Sequence, residues 1–189
     1  MAVTVAWLKA TAKALKGIPP KELLQTPFIR SFDTDSMTIY GQNAFFYSTH
    51  SFDRGFRFNF SQTWPVFYLA GDQLTASFEI GARTRDELLG PLLSSEKNPY
   101  LYVYVRVSAL VLDLTSKKIR ESLGIGLNDL LIPTKKWDDD MKNGIWAITH
   151  HLGALTLNDG RFGGILYPYI SCTRTRKDGK KKMFSCVYG

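Results

Sequence analysis

The sequence predicts one α+β domain, and three observations lead there. The chain has 189 residues, 44% of them hydrophobic, enough to bury a sizeable core as a single unit. Two stretches, Trp64 to Leu69 and Tyr100 to Val107, are rich in aromatic and β-branched residues, as strands are. Thr4 to Lys16 has the apolar stripe and end signals of a helix.

In chain order, Thr4 is placed to cap the first helix, Gly17 to end it, and Pro19-Pro20 to forbid its continuation. Trp7, Leu8 and Leu15 form its apolar side. Pro27 to Arg30 reads as a short strand. Asp33 to Arg54 has no clean periodicity and reads as a long excursion. Trp64 to Leu69 is the next strand, Ala70-Gly71 breaks it, and Asp72 is a suitable N-cap for a helix running to about Ile80. Leu74 and Phe78 share one face of that helix, with Glu79 at the rim.

Tyr100 to Val107 alternates, with Tyr100, Tyr102, Tyr104 and Arg106 on one face and Leu101, Val103, Val105 and Val107 on the other. Thr115 or Ser116 caps a helix to Leu123, which Gly124 ends. Gly124-Ile125-Gly126 lacks the third glycine and the strand-to-helix context of a dinucleotide fingerprint. Ile145 to Leu157 has a helical pattern. Phe162 to Cys172 and Met183 to Tyr188 read as the last two strands, with Asp178-Gly179 as a hairpin turn between them.

The formal net charge is +7. Six of the 24 lysines and arginines fall in Arg174 to Lys182, and no aromatic residue interleaves them, so a solvated hairpin tip is the expected reading and nucleic-acid binding is not. Cys172 and Cys186 form no disulfide framework and no C-x-x-C motif. No stretch has the length of a transmembrane helix, and no basic segment precedes the apolar Ala2 to Leu8 as in a secretory signal. A cytoplasmic protein is expected. Asp138-Asp139-Asp140 lacks the spacing of a calcium loop, and neither His150 nor His151 lies in an H-E-x-x-H motif, so no metal is expected.

The order and spacing of Arg57-Phe58-Asn59, Pro65, Tyr68, Ala70, Ala76 and Glu79 carry more information than any one of them. Tyr68 lies eleven residues after Arg57, and Glu79 eleven after Tyr68. With Val111 to Leu114 and Gly164 to Pro168, this pattern resembles the RES domain family over roughly Pro27 to the C-terminus. Residues 1–26 then form a helical extension and 27–189 the catalytic domain. The resemblance implies an ADP-ribosyltransferase-like split β-sheet with flanking helices around an NAD cleft. It also implies a toxin or effector that degrades NAD, and an Xre-type antitoxin or other inhibitory protein as partner. A positive domain favours an acidic partner surface.

The resemblance assigns Glu79 to the catalytic carboxylate, Tyr68 to a place beside the nicotinamide, and Arg30 and Arg57 to the diphosphate. Family members read Tyr-Pro-Ser where this chain reads Tyr167-Pro168-Tyr169-Ile170-Ser171. Tyr169 stands at the serine position, and Ser171, two residues on and on the same strand face, is the alternative hydroxyl. The resemblance implies NAD as the substrate, with nicotinamide as a cationic leaving group. Its departure leaves an oxocarbenium-like ribose that a fixed carboxylate stabilises. Water or phosphate then traps the sugar. Two alternatives stand beside NAD glycohydrolysis or phosphorolysis. One is ADP-ribosyl transfer to a macromolecule, disfavoured by Ser77 where a second acidic residue often stands. The other is an inactive binding module, suggested by Tyr169.

Overall fold

The structure is a computed structural model of the whole chain. It describes residues 3–33, 38, 57–73, 75–76, 100–130, 139–169 and 184–188. Helix α1 (Val5–Gly17) starts where Thr4 accepts the N–H of Trp7 on its hydroxyl at 3.1 Å, a cap worth about 1 kcal/mol. Strand β1 (Lys21–Asp33) follows, then β2 (Tyr68–Ala70) and β3 (Tyr100–Asp113). Helices α2 (Lys117–Ser122) and α3 (Leu127–Leu130) come next, then α4 (Ile148–Asp159), β4 (Gly164–Tyr169) and β5 (Phe184–Tyr188).

The strands close into a ring in the order β1-β2-β5-β4-β3. Its joints are unequal. β1 and β3 pair antiparallel from Lys21 opposite Val111 to Asp33 opposite Tyr100. β4 and β5 pair antiparallel along β5, whose other edge takes β2. These two halves meet at a short parallel pairing of β3 with β4, Val111 to Asp113, and at the single pair Ile29–Ala70 between β1 and β2. The sheet is thus split into two strongly paired parts joined by two short seams. The mixed α+β fold with flanking helices is the one expected.

Side chains alternate between the two sides of the ring. Ile29, Ala70, Leu112, Ile165 and Tyr167 pack with Leu15 of α1, Leu123 and Leu130 beside α2 and in α3, and Ile148 and Leu152 of α4. This is the helix-covered face. The other parity, Leu23, Phe28, Leu69, Val111 and Leu166, packs with Phe67, Val105, Val107 and Ala109 and lines the inside. Gly153 lets α4 approach closely. A methyl group there would lie 1.9 Å from the Phe58 carbonyl oxygen.

Several expected boundaries move. The strand expected at Pro27 opens at Lys21, because β3 pairs with it throughout, across a bulge near Gln25 at φ 47°. A domain boundary between 26 and 27 would cut β1. Helix α1 is also integral, with Leu15 in the main core and Arg161 donating to the Leu15 and Ile18 carbonyls. The strand expected over Trp64 to Leu69 shrinks to Tyr68–Ala70, because Pro65 has no N–H to pair and the Trp64 carbonyl accepts from the Asn59 side chain. The tyrosines of β3 also diverge: Tyr102 packs on the core, while Tyr104 is exposed. Asp139 and Asp140 open a helical turn at 139–142. Ser116 caps α2, accepting from the Ile119 N–H, and Gly124 leaves the helix at φ 65°, as the sequence indicated. The 178–179 turn lies outside the described residues.

Candidate active site

The motif Arg57-Phe58-Asn59 forms one connected piece with Tyr68 and Tyr167. The Tyr68 hydroxyl donates to Asn59 Oδ1 at 2.8 Å and accepts the Phe58 N–H at 3.2 Å. Asn59 Nδ2 donates to the Trp64 carbonyl at 3.1 Å. Two backbone groups and two side chains thereby fix the loop that leads into β2. Phe58 is buried and meets the buried Tyr167 ring edge-on, with centroids 5.0 Å apart.

Arg57 lies next to this piece. One terminal N–H donates to the Leu130 carbonyl at the end of α3, and its guanidinium sits 5.9 Å from the Tyr167 ring centroid. An arginine has five N–H donors in a rigid plane, so one bond to a carbonyl fixes that plane while the charge is kept.

After β2, Asp72 caps a helical turn as expected. Its carboxylate accepts the Thr75 N–H at 2.9 Å and the Thr75 hydroxyl at 3.0 Å, and the Ala76 N–H reaches the Asp72 carbonyl at 3.0 Å. Ser31 of β1 holds this turn from the side, donating its hydroxyl to the Ala76 carbonyl at 3.0 Å. Ser31 shares strand parity with Ile29, so the turn leading towards Glu79 is tied to the helix-covered face, the face of Tyr68.

Arg30 is placed differently. It shares parity with Phe28, on the inner side, and its guanidinium carbon lies 3.8 Å from the centroid of the Phe67 ring. Burial lowers its pKa to about 10, which still leaves it charged at neutral pH. The structure therefore sets Arg57 next to Phe58, whose N–H meets the Tyr68 hydroxyl, but places Arg30 on the other side of the sheet, because neighbouring strand residues face opposite ways. Tyr169 ends β4, with its backbone paired to Phe184. Glu79 and Ser171 lie outside the described residues.

The histidines have structural surroundings. His150 is buried, and its Nδ1 accepts the Ala147 N–H at 3.0 Å, which closes the start of α4 where Ala147 has no side-chain acceptor. His151 lies beside Trp146, 5.3 Å between ring centroids, and burial lowers its pKa. Among the described residues, no group of three or more His, Cys, Asp or Glu side chains is placed to hold a metal ion. No described helix is long and apolar enough to cross a membrane. Sequence reasoning missed Ser31 and Phe67 as partners of the site. Their types carry no special signal, and strand register alone brings them there.

Comparison with known proteins gives two findings. The chain is similar in structure to a chain from the crystal structure of the M. tuberculosis MbcT-MbcA toxin-antitoxin complex, with a TM-score of 0.58 and 17% sequence identity, over 95% of this chain and 81% of that one. At that identity the likeness shows a shared fold. No curated protein matches the sequence. The sequence profile of the RES domain matches residues 32–173, which include Arg57, Tyr68, Glu79, Tyr169 and Ser171. The chain belongs to the RES domain family.

Proposed function

We propose that this RES domain protein is a toxin or effector that degrades NAD by cleaving the bond between nicotinamide and ribose. The observation that carries the reading is the Tyr68–Asn59 pair, joined through Phe58 to Tyr167, with the Arg57 guanidinium 5.9 Å from the Tyr167 ring centroid, all inside the matched domain. The fold shared with a component of a toxin-antitoxin complex supports it. Tyr68, its hydroxyl tied down, offers a fixed ring beside which the cationic nicotinamide is bound. Arg57 supplies a fixed guanidinium for the diphosphate. Arg30 approaches from the inner side of the ring and serves the diphosphate only across the short β1–β2 seam.

Glu79 stands close in sequence after the turn that Asp72 and Ser31 hold. Its carboxylate stabilises the positive charge that develops on ribose as nicotinamide leaves. Ser171, or the Tyr169 phenol, hydrogen-bonds the ribose or the amide. Water or phosphate completes the reaction at the anomeric carbon. NAD is consumed as substrate, with no metal required. An inhibitory protein partner, of the Xre type that the family resemblance implies, covers the site; the fold shared with a chain of a toxin-antitoxin complex supports such a partner, and the +7 charge suits an acidic surface on it. A cytoplasmic location follows from the cellular NAD pool as target.

Expression in bacteria tests this reading. The wild type is expected to empty the cellular NAD pool and Glu79→Gln to leave it intact. Equal NAD levels in both would overturn the assignment. Radiolabelled ADP-ribose retained on cell proteins would redirect it to macromolecular transfer. Ser171→Ala is expected to reduce NAD loss more than Tyr169→Phe, and the opposite order would move the role to the phenol.

A further inference from the structure

The side chain of Asn59 is completely buried and serves two groups at once. Its Oδ1 accepts the Tyr68 hydroxyl at 2.8 Å, and its Nδ2 donates to the Trp64 carbonyl at 3.1 Å. A phenol has one proton, and here it points at Asn59. The phenol oxygen in turn accepts the Phe58 N–H at 3.2 Å. We propose that Asn59 is a positioning residue that sets the Tyr68 ring, and that Tyr68 works through its ring face while its hydroxyl serves as the tether. This rests on the NAD-cleaving reading above and names a role inside that same site.

The residue type fits the task. The site needs a donor towards Trp64 and an acceptor towards Tyr68 on one short side chain, and asparagine carries both. Leucine would fill a similar volume with neither. Removing Asn59 would take this acceptor from the part-buried Tyr68 phenol and this donor from the part-buried Trp64 carbonyl. Removing the phenol oxygen would leave Asn59 Oδ1 without this donor. The two changes therefore break the same bond, and their effects on NAD cleavage should not add.

A double-mutant cycle with a spectroscopic arm tests this. The protein is labelled with 3-fluorotyrosine, and the Tyr68 fluorine line is identified by its loss in Tyr68→Phe. Asn59→Leu is expected to move or broaden the Tyr68 line more than the other tyrosine lines. It is expected to lower kcat/KM for NAD about tenfold, as loss of one buried hydrogen bond does. Tyr68→Phe should lose a similar factor, and the double variant no more than the worse single one.

An unmoved Tyr68 line in Asn59→Leu, or additive losses, would overturn the proposal. A purely structural asparagine would lower the Tm in this variant without moving that line. If Asn59→Leu does not fold, the Asn59 side-chain amide signals in Tyr68→Phe decide: a shift supports the tether and no shift overturns it. A wild type that releases no nicotinamide would remove the NAD reading itself. The fluorine line would still decide whether Asn59 holds Tyr68.

Discussion

On its helix-covered face the strand ring is held by directed contacts, and on its inner face by apolar packing beside the half-buried Arg30 guanidinium. The Tyr68–Asn59–Trp64 chain, the Phe58–Tyr167 ring pair and the α4 approach at Gly153 all need specific atoms at specific distances. The inside needs Leu23, Phe28, Leu69, Val111 and Leu166 to exclude water, and it carries Arg30 against Phe67. A site built on the first face is preorganised, because its side chains are fixed before substrate arrives. Burial on the second face disfavours the charged form of Arg30.

The largest expected effect tests the directed face. Gly153→Ala places a methyl 1.9 Å from a backbone oxygen, so α4 must move away from Phe58. A loss of about 3 kcal/mol or more, or failure to fold, is expected in urea unfolding. Gly163→Ala is the control, because its new methyl meets its nearest atoms at 3.6 and 3.7 Å, ordinary contact distances. A change within about 1 kcal/mol is expected there. Equal losses at both positions would remove the distinction.

Local signals were legible in the sequence, and contacts between distant elements were not. End signals are local, so Thr4, Ser116, Asp72 and Gly124 were readable as caps and stops, and each has that role. The spacing of Arg57, Tyr68 and Glu79 was legible too, and pointed to the family. What two elements do to each other was not. The pairing that lengthens β1 to Lys21 depends on β3, far along the chain. Arg30 and Tyr68 look equivalent in a motif, yet strand parity puts them on opposite sides of the sheet. Ser31 gains its role only because β1 runs beside the Asp72 turn.

A smaller effect sharpens the inner face. The charged form of Arg30 is disfavoured by burial, so its folded pKa of about 10 lies below the ordinary arginine value of the unfolded chain. The cost is fully present at all pH values below about 10 and is relieved only as pH rises through that point. Arg30→Met is thus expected to keep or raise the Tm between pH 6 and 9, with the wild type gaining on it only at more alkaline pH. Its KM for NAD is expected to rise if the guanidinium reaches the diphosphate. A Tm loss in Arg30→Met would mean that the guanidinium is a net stabilising group.

The smallest effect lies at one end of the ring. Lys21 Nζ meets Asp113 Oδ2 at 2.7 Å, joining the start of β1 to the end of β3. Burial raises the Asp113 pKa, but bonds from Lys21 and Thr115 outweigh it and hold the carboxyl below 3.8. The stabilisation is therefore present above that value and fades as pH falls through the lowered one. Lys21→Met is expected to cost about 0.5–1 kcal/mol at pH 7, since the lysine is half-exposed, and progressively less as pH falls through the lowered Asp113 pKa. A loss unchanged by acid would assign it to packing of the lysine stem.

The most direct measurement is nicotinamide release by the purified protein from NAD, with and without phosphate, beside Glu79→Gln. The account expects release by the wild type and a fall of about a hundredfold or more in the variant, as when a transition-state electrostatic contact is lost. Stimulation by phosphate would identify phosphorolysis, and equal rates without it hydrolysis. Undiminished release by Glu79→Gln would contradict the account, as would no release by a folded wild type.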